Sequence, residues 1–176
     1  GYAEGVDETE QVRVIESGHP WPTQASLEAG EALLQFIEQL PPDAQCLFLI
    51  SGGASSLVEV LPAGMDLTDL QRLNDWLLKS GFDIHAMNHV RKSVSCIKGG
   101  RLAKYLLQRR SRVMLISDVP GDEPATIGSG LLVPEILLET EAPLELPDWI
   151  EAMMAKGHAA PVMGDACFSH IDLELV

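Results

Sequence analysis

The sequence predicts an α/β domain, layered as a mainly parallel sheet with helices on both faces, and three observations carry that reading. Cys46–Ile50 and Val113–Ser117 are unbroken apolar runs between turn residues, the pattern of strands buried on both faces. The segments between them repeat apolar residues at helical spacing. Each run then empties into a polar, glycine-containing turn, and ligands of open α/β sheets bind outside the carboxyl ends of the strands.

Taken in order, residues 1–10 are acidic and small and predict a loose tail. Gln11–Glu16 alternates Val12 and Val14 with polar neighbours and predicts a short edge strand. His19-Pro20-Trp21-Pro22 makes a rigid turn, because proline fixes its own φ and pushes the preceding residue to extended geometry. Thr23 then caps a helix with Leu27, Leu33, Leu34, Ile37 and Leu40 mostly on one side, and Pro41-Pro42 stops it. After the first apolar strand, a helix over about Asp69–Ser80 is capped by Thr68, with Gln71 three residues on, and closed by Gly81. Asp83 caps the next, from Ile84 to about Val94. Another is expected to start near Gly100 and to end at Arg109, Arg110 and Arg112, cations that suit the negative end of a helix dipole. The stretch up to Leu146 has no clear period, and Pro147–Lys156 predicts a short helix with Gly157 past its end.

Length and charge bound the function. A chain of 176 residues fits one domain with a substantial core and leaves no room for a second. A formal charge of −14 argues against nucleic acid or an anionic membrane as partner, since those need a broad basic face. No apolar run is long enough to span a bilayer. Cys46, Cys96 and Cys167 are far apart and form no C-x-x-C pair, so no disulfide framework is expected and the cytoplasm is the expected location. Gly1 stands where an initiator Met would, and the chain closes on the strand-like Ile171–Val176. One α/β domain, 1–176, is therefore expected to be an incomplete piece of a larger protein.

Within this acidic chain, Arg91–Arg112 holds eight of the twelve basic residues and no acid. Lys98-Gly99-Gly100-Arg101 places two cations around a glycine pair at a helix start, where free N–H groups and the dipole favour an anion. Ser51-Gly52-Gly53-Ala54-Ser55 lets backbone approach a ligand closely and adds hydroxyl and N–H donors, although it is neither a Walker loop nor a G-x-G-x-x-G fingerprint. Asp118 and Asp122, just past the second strand, suit Mg²⁺ or a substrate hydroxyl, and Asp122 equally suits a turn cap. His85 and His89 stand at i and i+4 but lack a third zinc ligand. Asn88, Arg91 and Lys92 share their helix and suit an anionic substrate.

Ser51–Leu57, Asp83-Ile84-His85 with Asn88-His89-Val90-Arg91-Lys92, Ile97–Ala103, Ile116–Asp122 and Ile127-Gly128-Ser129-Gly130 occur in the order and spacing of the glycerate 2-kinases, a family often labelled hydroxypyruvate reductases. The chain from about Gly18 to Val176 resembles that family. The resemblance implies a Rossmann-like domain and a second, smaller domain around a cleft. In that cleft the γ-phosphoryl group of ATP, with Mg²⁺, passes to D-glycerate to give 2-phosphoglycerate. It implies that Ser51, Gly52, Gly53, Ala54 and Ser55 form the active-site turn. Asn88, Arg91, Lys92, Gly99, Gly100, Arg101 and Ser129 would bind substrate, and Asp118, Asp122 and Lys98 would act in catalysis, with Asp118 on the metal. Family members carry an upstream glycine-lysine segment and a second domain that this chain lacks, so it is expected not to turn over alone. The alternatives are an NAD(P)H-dependent hydroxypyruvate reductase and a non-catalytic module for small phosphorylated acids.

Overall fold

Apolar runs become parallel strands in the computed structural model, which describes residues 12–107, 109–117, 121–134, 144–157 and 165–176. β1 (Cys46–Ser51), β2 (Ser111–Ile116) and β3 (Ile171–Leu175) form one sheet in that order. Cys46 stands opposite Ser111 and Ser111 opposite Ile171, so all three carboxyl ends point the same way. Parallel neighbours need long crossovers, and these supply the helices.

α1 (Gln24–Gln39) starts where predicted: the Thr23 N–H donates to Ser26 Oγ at 3.0 Å, and Leu40 ends the helix ahead of Pro41. α2 (Ala54–Leu57) is one turn, directly after the Gly52-Gly53 bend. α3 (Leu67–Lys79) is capped by Asp66, which accepts from Asp69 N at 3.0 Å while Asp69 accepts in return; the cap sits two residues ahead of the expected Thr68. α4 (Ile84–Ser93) has the predicted Asp83 cap, 2.8 Å from Ala86 N. α5 (Ala103–Leu106) is far shorter than expected, and α6 (Asp148–Gly157) includes the glycine expected beyond its end.

Two apolar clusters hold these elements. Ile37 of α1 and Leu106 of α5 pack with Ile50, Val113 and Leu115 of the sheet and with Ile127 and Leu132. Leu73 and Leu77 of α3 meet Val90 and Val94 near α4 and Ile150 and Met153 of α6. Each such side chain contributes about 1.5–3 kcal/mol when fully buried. The alternate face of the sheet differs from the expectation of helices on both sides. Leu47, Leu49 and Ile116 are 61%, 71% and 57% exposed, and Arg112 pairs with Glu174 in the open, so the described helices cover one face.

Three other departures have local causes. Val12 makes a single bridge and residues 13–17 form no strand. The expected helix after Gly100 breaks at Leu107, whose φ is 55°. Arg109 is not an exposed helix-end cation: its buried guanidinium donates to Leu40 O and Pro41 O, carbonyls just past the end of α1, and to Leu106 O. Arg112 lies in β2. The expected tail at 1–10 lies outside the described residues. No helix among the described residues is long and apolar enough to cross a membrane.

Gly157 sets the spacing of α4 and α6. A Cβ there would stand 1.8 Å from Ser93 O and 2.8 Å from Ser93 C, both backbone atoms. Gly157→Ala would gain about 1 kcal/mol of helix propensity. The clash forces the helices apart, which costs about 1–3 kcal/mol or more, so a net loss is expected. Urea unfolding checks it: a lower midpoint is predicted, and an unchanged or higher one contradicts this packing.

Candidate functional site

The site is built around the exit of β1. Gly52 and Gly53 turn the chain into α2, and Ser56 Oγ donates back to Gly53 O at 3.2 Å. The chain then runs beside α1, where Glu59 N donates to Ser26 O at 3.0 Å. Gly30 makes that approach possible, because a Cβ on it would stand 2.0 Å from Glu59 O. Glu59 is thereby fixed in the interior, 1% exposed.

A buried carboxylate needs a partner for each oxygen. Glu59 Oε2 accepts from Lys98 Nζ at 2.5 Å, and Oε1 accepts from Ser95 Oγ at 2.6 Å and Val60 N at 3.0 Å. Ser95 Oγ in turn accepts from Ile97 N and Lys98 N at 3.2 and 3.1 Å, so one hydroxyl shapes the loop that delivers Lys98. Lys98 is 4% exposed, and its ammonium is committed to Glu59.

Lys98 and Glu59 lie in the wall of a cleft of about 180 Å³ at the carboxyl end of β1. Gly52, Gly53 and Ser55 line it together with Asn74, Arg91, His19 and Pro20, and the His19 ring lies beside Gly53. Arg91 Nε donates to Asn74 Oδ1 at 3.2 Å, while Asn74 Nδ2 donates to Leu70 O at 3.1 Å, which fixes the amide with its oxygen toward the guanidinium. Burial lowers the Arg91 pKa from its ordinary value. A guanidinium nevertheless keeps its proton, so Arg91 is a partly desolvated cation that gains from an anion.

Behind the glycine turn, Ser55 Oγ lies 2.7 Å from Ser129 Oγ, and Ser129 donates weakly to Asn88 Oδ1 at 3.4 Å. Gly128, Ser129 and Gly130 have φ of 57°, 56° and 65°, a left-handed run that is costly for the serine. Gly99 N donates to Ser129 O at 3.1 Å and Gly100 N to Gly130 O at 2.6 Å, which holds this run in place.

Those bonds correct the predicted anion seat. The amides of Gly99 and Gly100 are taken by residues 129 and 130, and only a four-residue helix follows. Arg101 is buried and donates through Nη1 to Lys92 O and Lys98 O, away from the cleft wall. Gly52, Gly53, Ser55, Arg91 and Lys98 do share the cleft. Ser51 is exposed at the strand end, Ala54 packs beside Gly128, and Asn88 and Ser129 stand behind Ser55 as supports. Lys92 is half-buried outside the cleft lining. Asp122 is exposed, with φ 52°, also outside it. Asp118 lies outside the described residues.

No group of three His, Cys, Asp or Glu among the described residues is placed to hold a metal ion. The one carboxylate in the cleft wall has both oxygens in use, so the described residues alone do not fit Mg²⁺. His85 stands 3.8 Å from Glu123 rather than in a ligand set.

Glu59, Asn74, Ser95 and His19 escaped the sequence reading as site residues. Glu59 interrupts the apolar run Leu57-Val58-Glu59-Val60-Leu61, and Asn74 interrupts the stripe Leu70, Leu73, Leu77; a lone polar residue in an apolar pattern was the available signal.

The buried pair generates a stability prediction. Lys98→Met strands the Glu59 charge and is expected to lower unfolding free energy by about 3–5 kcal/mol. Adding Glu59→Gln removes the stranded charge and recovers most of the loss. Chemical denaturation of both variants checks this; equal losses in the single and double variants would contradict the pairing.

The chain is similar in sequence and in fold to known proteins. The glycerate 2-kinase of Pyrococcus horikoshii is 40% identical over 143 residues, 80% of this chain and 32% of its own length. A relative from Agrobacterium vitis named as a hydroxypyruvate reductase is 40% identical over 163 residues, 88% of this chain and 37% of its own. The crystal structure of a glycerate kinase from Thermotoga maritima superposes with a TM-score of 0.77 at 29% identity, over 96% of this chain and 41% of that one. The chain thus spans about a third of the length of the curated relatives it matches. The family model described as "Domain of unknown function (DUF4147)" matches residues 2–145, and the chain belongs to that family, among whose relatives are glycerate kinases.

Proposed function

We propose that this chain forms the acid-binding part of a glycerate 2-kinase, which transfers the γ-phosphoryl group of ATP to D-glycerate to give 2-phosphoglycerate. One observation carries the reading: Arg91, partly desolvated and oriented by Asn74, lines the same cleft as the Gly52-Gly53 turn. The two glycines present backbone without side chains, and Ser55 adds a hydroxyl held by Ser129. A guanidinium binds a carboxylate through two parallel N–H donors. A volume of about 180 Å³ is below the roughly 300–1,000 Å³ typical of drug-sized ligands, which favours a three-carbon acid and puts a whole nucleotide elsewhere.

Phosphoryl transfer asks chiefly for placement and charge compensation. In this reading Arg91 holds the substrate carboxylate and the glycine turn and Ser55 orient its hydroxyls. Asp118 and Asp122 are the catalytic carboxylates, with Asp118 on Mg²⁺, roles that come from the family's motif order. Lys98 contributes through its pair with Glu59. Mg²⁺, when bound, would offset charge on the transferring group. The kinase names of the relatives at 40% and 38% identity support this reading. The reductase reading draws on the names of two relatives from Agrobacterium vitis, 40% and 47% identical, and the Ser51–Ser56 turn lacks the G-x-G-x-x-G spacing that seats a dinucleotide.

Coupled assays of the full protein decide between them. ATP consumption with D-glycerate is expected, and NADH oxidation with hydroxypyruvate is not. Arg91→Met is predicted to raise KM for glycerate by about tenfold or more, the scale of a lost charged hydrogen bond, with a smaller effect on kcat. Asp118→Asn is predicted to lower kcat chiefly. NADH-dependent turnover without ATP consumption would overturn the proposal.

A further inference from the structure

We infer that Glu59 is a specificity-determining residue that sets the charge of ligand the cleft accepts: by neutralising Lys98 it leaves one net positive charge, that of Arg91, and so selects acids bearing a single negative charge. The inference rests on the reading of the cleft as an acid site. Among the described residues, those lining the cleft carry three permanent charges at neutral pH: Glu59, Arg91 and Lys98, with His19 also present. Lys98 and Glu59 cancel at 2.5 Å. Asn74 is uncharged and adds nothing to the count while it aims Arg91.

A second cation adds a favourable contact for a second carboxylate, whereas a lone cation leaves that carboxylate desolvated without a partner. Discrimination here is a difference between two affinities, and Glu59 acts on it through Lys98 without touching the ligand. Ser95 keeps the arrangement fixed, because it binds Glu59 Oε1 and the Lys98 backbone at once.

Two acids of similar size test this: D-glycerate, with one carboxylate, and hydroxymalonate, with two. Calorimetric titration of the full protein at pH 7 is expected to show the wild type preferring D-glycerate. Glu59→Gln releases the Lys98 charge and is expected to shift the affinity ratio toward hydroxymalonate by about tenfold or more. Glu59→Asp, which keeps the charge, is expected to retain the wild-type preference. Asn74→Asp moves the count the other way: the new carboxylate keeps Arg91 as partner and gives up the bond to Leu70 O, and a thermal melt followed by circular dichroism checks that this variant is folded before it is titrated. Its affinity for D-glycerate is expected to fall by about tenfold or more. A wild type that binds neither acid sinks the acid-site reading and this inference together. A wild type that binds D-glycerate overturns the inference alone under either of two results: a Glu59→Gln ratio within twofold of wild type, or undiminished D-glycerate binding by Asn74→Asp.

Discussion

Taking a lysine ammonium out of water is costly unless a counter-charge meets it, and in this fold the buried contact between Lys98 and Glu59 answers that constraint. The two residues are 39 positions apart, so the contact ties the segment leaving β1 to the loop after α4. Ser95 joins the same knot and orders the loop backbone. Gly99 and Gly100 come next in the chain, and their amides hold the left-handed run at Gly128–Gly130, which in turn carries Ser129 to Ser55. The cleft wall therefore depends on a chain of polar contacts rather than on the apolar clusters that flank it.

The parts of the fold that local physics dictates were legible in the sequence. The strands stood out as apolar runs, Asp83 as a cap and Pro41 as a stop, and the carboxyl end of β1, singled out in the sequence, borders a cleft. Arg91, Lys98, Gly52, Gly53 and Ser55 were all singled out and share one cleft. Contacts between distant residues were not legible. Glu59 stands out in the sequence only as a lone acid in an apolar run, and its role shows once Lys98 and Ser95 are folded onto it. Arg101 reads as an anion receptor at a helix start until the carbonyls of Lys92 and Lys98 claim it. The expected helix after Gly100 had good local spacing. It lost to tertiary demands, as the glycine amides serve residues 129 and 130 and Arg109 serves the end of α1.

Electrostatics separates this cleft from its surroundings. The chain carries a formal charge of −14, which opposes the approach of any anion at long range. Arg91 acts at close quarters, in a partly dry setting where its field is screened less than at the surface. Such a layout trades encounter rate for selectivity.

A structure of the full protein with D-glycerate bound tests the central claim most directly. The account predicts the ligand carboxylate on the Arg91 guanidinium, beside Gly52 and Gly53, with Lys98 still bound to Glu59. A carboxylate seated elsewhere, or Lys98 swung away from Glu59 onto the ligand, would contradict it.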